Sequence, residues 1–303
     1  MKNKNSFTYK IIFIFIVNII YIYITGKVYS KNTNNILERC YLPPNDSNLK
    51  IIHFIITRFI IEYWPFNEFP NKIYKEDYIR NGIRVMKKYL FPSLENQSCR
   101  NFIWVLMLGD KAKIDFIKSL LDFDKSFNII VIYKKDIKEY IRNTTKGYDI
   151  LITSRIDYDD RIYYDAINDV RKAININKPM ILYGYNSGVH YYEFDNKYYE
   201  FNISYKNEGV MSIFISLITV LNKVNDTYII YDLGSHIQVK SRLLNSYKSF
   251  GIKELDYDPA IFDSGIEKFV WVRQSHSGLY DFSKSIENNL KEYKFNLSKF
   301  YGK

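Results

Sequence analysis

Residues 149–162 read "DILITSRIDYDDRI". An apolar run delivers Arg155, Asp157, Asp159 and Asp160 to one place, and three carboxylates this close repel one another unless a cation, a basic side chain or water offsets them. The run at 148–153 reads as a buried strand. The acids therefore fall just past its carboxyl end, on the rim where open parallel sheets gather ligands. If the chain stays extended there, Asp157 and Asp159 project to the same side. That D-x-D pattern suits Mg²⁺ or Mn²⁺, which takes one or two carboxylates and leaves its other positions to water and phosphate. The alternative is that Asp159 or Asp160 caps a helix read over 161–174. An EF-hand loop is excluded, because Arg161 and Ile162 occupy its fifth and sixth positions. Arg155, and Arg58 at the end of an earlier strand, either neutralise acids or reach a phosphate with their planar forks.

Outward from this stretch, apolar runs at 50–57, 102–108, 127–133 and 178–184 alternate with helical patterns at 75–91, 111–123, 136–143 and 161–174. Pro92 is read as the stop of the 75–91 helix. The alternation predicts an α/β fold, a mostly parallel sheet with helices on both faces. Beyond residue 185 the pattern changes. Asp195-Asn196 between aromatic-rich runs predicts an antiparallel hairpin, residues 209–224 fit strand or helix equally, and 284–293 reads as a solvent-facing helix.

The chain has 303 residues, 47% of them hydrophobic, enough for one large or two modest folded units. Its net charge of +10 suits anionic partners. No run of five basic residues is present, and no nucleic-acid partner is expected. The four histidines lack H-E-x-x-H spacing, which excludes a helix-borne zinc protease site. Cys40 and Cys99 leave room for one disulfide, but two free buried thiols are the favoured reading.

At the N-terminus, Lys2, Lys4 and Lys10 precede an apolar run that ends before Lys27. A helix over this run is about 24 Å long, enough for a thin membrane when the flanking lysines reach the interfaces. An uncleaved single-pass anchor is favoured, with a cytoplasmic basic tail and a lumenal or exported remainder. Cleavage after a signal peptide, giving a secreted protein, is the alternative. The expected layout is a tail and signal-anchor or signal peptide at 1–30, a linker at 31–48, and two functional halves at 49–180 and 181–303.

Three blocks, in order, resemble a rhamnosyltransferase family of the GT-A class. In "ITRFIIEYW", Thr57, Arg58 and Phe59 match a Thr-Arg-Phe-Asn pattern, with Ile60 in place of Asn. In "LFPSLENQSCRNFIWVLMLGD", Pro92, Ser93, Leu94, Gln97, Phe102 and Trp104 match, and in "TSRIDYDDRI", Arg155, Asp157, Asp159 and Asp160 match. A later segment, "VWVRQSHSGLYDFS", is similar to a family segment containing a His, here His276. The resemblance implies a GT-A-like nucleotide-binding αβα sandwich and a metal-dependent transfer of sugar from a nucleotide-diphosphate donor to a glycan or other hydroxyl acceptor. It implies metal ligation by Asp157, Asp159 and His276, with Arg58, Arg155 and Asp160 around the donor. A base for the acceptor hydroxyl is unassigned; Asp232, Asp256 and Asp258 are weak candidates, each with a plainer reading as a turn acid. Rival readings are a membrane-tethered binding protein without turnover and a metal-dependent phosphoryl-transfer enzyme.

Overall fold

The computed structural model describes residues 40–43, 48–61, 73–121, 128–192, 196–202, 214–234, 239–249, 258–263, 269–273 and 292–302. The N-terminal apolar run, Asp256, His276 and most of the helix expected at 284–293 lie outside them. Among the described residues no helix is long and apolar enough to cross a membrane.

The main sheet has seven strands: β1 (Ile51–Phe59), β2 (Ile103–Leu108), β3 (Ile129–Tyr133), β4 (Ile150–Asp157), β6 (Met180–Tyr185), β9 (Ile215–Val220) and β10 (Ala260–Asp263). Their order is β10-β6-β9-β4-β1-β2-β3. All run parallel except β9, which is antiparallel to both β4 and β6. The fold is thus α/β with a mostly parallel mixed sheet, as expected. The stretch left open at 209–224 supplies β9, and it reads as a continuous apolar strand because both its faces are buried. A second sheet combines β5 (Arg161–Ile162), β7 (Ser187–Tyr192), β8 (Lys197–Asn202) and β11 (Phe269–Arg273) in the order β5-β11-β7-β8. Strands β7 and β8 are the expected hairpin.

Helices α1 (Glu76–Lys88), α2 (Leu90–Glu95), α3 (Ile114–Leu120) and α5 (Ala166–Lys172) pack on one face of the main sheet. Helix α4 (Ile137–Thr144), helix α6 (Val239–Ser249) and a 3₁₀ turn at Ile230–Leu233 cover the other. A short helix α7 (Leu297–Phe300) closes the described chain. Gly82 lets α1 close onto β1, since a Cβ there would stand 2.6 Å from the Phe59 ring.

Three local expectations are corrected. Pro92 does not stop the 75–91 helix; the helix breaks at Tyr89, and Pro92 sits in the first turn of α2, where a missing N–H costs nothing. The helix read over 161–174 begins only at Ala166, because Arg161 and Ile162 are drawn into pairing with Val270 and Phe269. The two cysteines are not free thiols: Cys40 is bonded to Cys99. Cys40 is buried, and the next residue, Tyr41, donates its N–H to the Asn168 side chain at 2.8 Å, so residues 40 and 41 of the expected 31–48 linker are fastened to the fold.

Candidate functional site at the β1–β4 crevice

Strand order along one half of the sheet is 4-1-2-3, so successive crossovers reverse direction between β1 and β4. Such a switch point leaves a crevice at the carboxyl ends of the two strands. Arg58 and Asp157 are register partners there. The Arg58 guanidinium forks over the carboxylate, with Nη2 donating to Oδ1 at 3.0 Å and to Oδ2 at 3.2 Å. Asp157 remains 35% exposed at its side chain and faces the rim.

Strand alternation puts Thr153, Arg155 and Asp157 on the face that carries Leu151, beneath the 3₁₀ turn. Thr153 Oγ1 accepts the Ile230 N–H at 2.8 Å, and Arg155 Nη1 donates to the Gly234 carbonyl at 3.3 Å. Those two bonds fix the turn that carries Tyr231. The Tyr231 ring lies 5.2 Å from the Arg155 guanidinium and 5.7 Å from that of Arg58, both within cation–π range. Burial pushes the Tyr231 phenol up to about 12, although both arginines pull it down. Tyr231 was not anticipated. One tyrosine among 29 carries no signal of its own, and its only cue is its place just after the apolar pair Ile229-Ile230.

The acidic motif does not stay extended. Strand β4 runs to Asp157 and then turns, with the Asp160 N–H donating to the Asp157 carbonyl at 3.2 Å. Asp159 lies in this turn, where its charge helps to raise the Tyr158 and Tyr78 phenols after burial has done most of that. Asp160 is 1% exposed. Neither acid caps a helix, because α5 starts after Asp165. Asp165 instead accepts hydrogen bonds from Ser98 and Asn168.

The other acids have local duties. Asp232 Oδ2 accepts the Ile229 N–H at 3.1 Å and pairs with Lys138 at 3.2 Å. Asp258 accepts the Ala260 N–H at 3.0 Å and pairs with Lys240. Both match the turn-acid reading.

The three sequence blocks are physically joined. The Trp104 indole N–H donates to Thr57 Oγ1 at 3.0 Å. Gln97 Nε2 donates to the Tyr163 carbonyl at 2.8 Å, and its Oε1 accepts the Ile167 N–H at 3.2 Å, which ties α2 to the segment after the acids. Phe59 meets the Tyr158 ring edge-on at 5.4 Å.

Among the described residues no three His, Cys, Asp or Glu side chains gather into a metal-holding group. Asp157 and Asp159 nevertheless offer the chemistry a hard divalent ion uses. Asp157 is 35% exposed at its side chain, and such an ion takes one or two carboxylates with water and phosphate completing its shell.

A sheet of this kind, with a charged crevice at its switch point, belongs to the class of α/β folds that bind ligands at that place. The family model described as "Putative rhamnosyl transferase" matches residues 56–233, more than half of the 303-residue chain. The chain belongs to that family, and so to a family of glycosyltransferases. No curated protein matches it. Among solved structures it is similar to a "Putative Glucose-1-Phosphate Thymidylyltransferase from Bacillus anthracis", at 11% identity over 71% of this chain and 87% of that one, TM-score 0.32. It is also similar to HddC from Yersinia pseudotuberculosis, at 13% identity over 75% and 90% of the two chains, TM-score 0.31. TM-scores this low carry no functional argument.

Proposed function

We propose that the protein is a GT-A-type glycosyltransferase that moves a sugar, rhamnose first among candidates, from a nucleoside-diphosphate donor to a hydroxyl of a glycan or other acceptor. The supporting observation is the cluster of Arg58, Arg155, Asp157 and Tyr231 at the carboxyl ends of β1 and β4. Arg58, 25% exposed at its side chain, is the guanidinium at the rim, where its planar fork matches a diphosphate, and the buried Arg155 adds its charge from beneath on the same aromatic platform. Their charge offsets the charge that grows on the leaving group. Asp157 and Asp159 would hold Mn²⁺ or Mg²⁺, which when bound supplies further neutralisation of the diphosphate; His276 is the candidate third ligand. Asp160 would orient the site or touch the donor sugar. The base for the acceptor hydroxyl stays unassigned, since Asp232 and Asp258 are engaged in caps and ion pairs.

Donor binding is assigned to residues 49–180 and acceptor binding to 181–303. Residues 1–30 serve as tail and anchor, with the remainder lumenal or exported. The Cys40–Cys99 bond favours that side of the membrane, because structural disulfides persist mainly in oxidising compartments.

The test is a nucleotide-sugar binding and hydrolysis panel with and without Mn²⁺, on wild type and Asp159→Asn. One donor is expected to show metal-dependent binding and slow hydrolysis that the substitution abolishes. Metal-dependent binding without turnover, even with an acceptor library, would instead favour a binding protein. Indifference to every donor by folded protein would sink the transferase reading.

A further inference from the structure

The amino ends of the same strands carry a second constellation. A pocket of about 440 Å³ opens there, lined by Leu42, Leu49, Lys50, Asn101, Tyr148 and Arg171 among others. Lys50 precedes β1, Asn101 precedes β2 and Tyr148 precedes β4, so the pocket lies across the sheet from Arg58. The seven steps from Ile51 to Arg58 place it about 23 Å from the acidic rim.

Arg171, on α5, is 1% exposed. Its Nη2 donates to the Asn101 carbonyl at 3.2 Å, while its Nε is buried without a hydrogen-bond partner. Among the described residues no carboxylate pairs with it. A buried cation without a counter-charge is costly, and burial lowers this guanidinium to about 10. The Lys50 ammonium enters no ion pair among the described residues, and the nearby Asp149 carboxylate is taken up by the Lys50 backbone N–H at 2.8 Å. The lining also has an apolar part, with Leu42 41% and Tyr148 39% exposed.

We infer that this pocket is an anion site, separate from the acidic crevice, in which Arg171 and Lys50 take a phosphate-bearing ligand whose apolar body lies against Leu42, Leu49 and Tyr148. An unsatisfied buried donor on a residue that lines a cavity calls for an explanation, and an incoming anion beside the guanidinium supplies one. A forked guanidinium beside a mobile ammonium suits a phosphate monoester, whether free or displayed on a lipid headgroup.

The full chain in detergent, titrated with inorganic phosphate at constant ionic strength, gives the test by thermal melting. Wild type is expected to gain a saturable rise in Tm. Lys50→Gln, an exposed change that leaves the fold intact, weakens the half-saturation about tenfold, and Arg171→Lys removes the response. Arg58→Gln retains it, which separates this site from the crevice and makes the result independent of the proposed function. Absence of a response beyond that to chloride overturns the inference, as does a response lost in Arg58→Gln but kept in Lys50→Gln. Reconstitution in phosphatidylcholine discs with and without phosphatidic acid distinguishes the source. A headgroup ligand raises Tm in the acidic discs and blunts the response to added phosphate, whereas a free ligand leaves that response intact.

Discussion

The indole N–H of Trp104 on β2 donates to the hydroxyl of Thr57 on β1, one residue before Arg58, and so pins the strand end that carries the arginine. Both groups are fully buried. Thr57→Val keeps the shape and strands the indole donor, so a loss of about 1–3 kcal/mol is expected in urea unfolding. Trp104→Phe combined with it should give a coupling energy of about 1 kcal/mol in a double-mutant cycle. Additive losses would show that the bond contributes nothing of its own.

Tyr231 acts on the crevice through its ring. Tyr231→Phe keeps the platform under Arg58 and Arg155 and loses the contacts of the hydroxyl, a long one to the Ile56 carbonyl at 3.4 Å and a hydrogen bond with the Arg58 side chain. Donor KM is expected to change less than about threefold. Tyr231→Leu loses two cation–π contacts, each about 0.5–1 kcal/mol, and should raise KM by about tenfold with little change in kcat. Because the phenol is pushed up to about 12, it stays neutral through the assay range and adds no limb to the pH profile.

His53 predicts how stability responds to acid. Its Nε2 shares a hydrogen bond with Ser154 Oγ at 2.7 Å, and Ser154 Oγ meets Ser216 Oγ at 2.6 Å, a polar seam across β1, β4 and β9. Burial first, and the charge of Arg171 second, hold its pKa well below 6.5. The unfolded chain therefore binds a proton that the folded chain refuses. Stability contributed by the neutral ring is complete above about pH 6.5 and is lost at up to about 1.4 kcal/mol per pH unit as pH falls toward the folded pKa. Unfolding free energies between pH 7.5 and about 5 check this, and His53→Gln should flatten the slope.

The disulfide joins residues 59 apart in sequence. By the loop-entropy relation its removal costs up to about 4 kcal/mol. Melting of wild type with and without reductant, and of the Cys40→Ser, Cys99→Ser double variant, should agree in size. A change below about 1 kcal/mol would mean the native contacts of Tyr41 and Asn168 hold the segment without it.

Ile60 stands where the family pattern has Asn, at φ 52°, a left-handed conformation that a β-branched side chain adopts at a cost of about 1–2 kcal/mol. Its carbonyl accepts the Gly109 N–H at 3.0 Å, and its side chain is only 5% exposed. Ile60→Asn relieves the backbone but gives up core burial of about 2–5 kcal/mol. Burial wins, and a net loss of about 1–3 kcal/mol is expected by urea unfolding. A gain in stability would reverse that ranking.

What could be read in the sequence was local. Strands buried on both faces announce themselves as apolar runs, and the acids of 157–160 fell at a strand end for that reason. What could not be read depended on distant pairing. Arg161 and Ile162 leave a helical pattern because they meet Val270 and Phe269, more than a hundred residues on. Tyr231 joins the crevice only because Thr153 and Arg155 receive its turn from 77 and 79 residues further along the chain. Neither spacing nor composition encodes such meetings, and the turn at Asp160 likewise has no periodicity to betray it.

The Cys40–Cys99 bond also decides how the fold would carry a mechanical load. A pull on the chain ahead of residue 40 enters at Cys40 and passes through sulfur to Cys99, so it cannot draw out the backbone between them. Arg58, its strand and helix α1 sit inside a covalent ring that tension cannot pull open. Tension applied ahead of residue 40 would thus leave the covalent path through Arg58, one wall of the crevice, at its folded length.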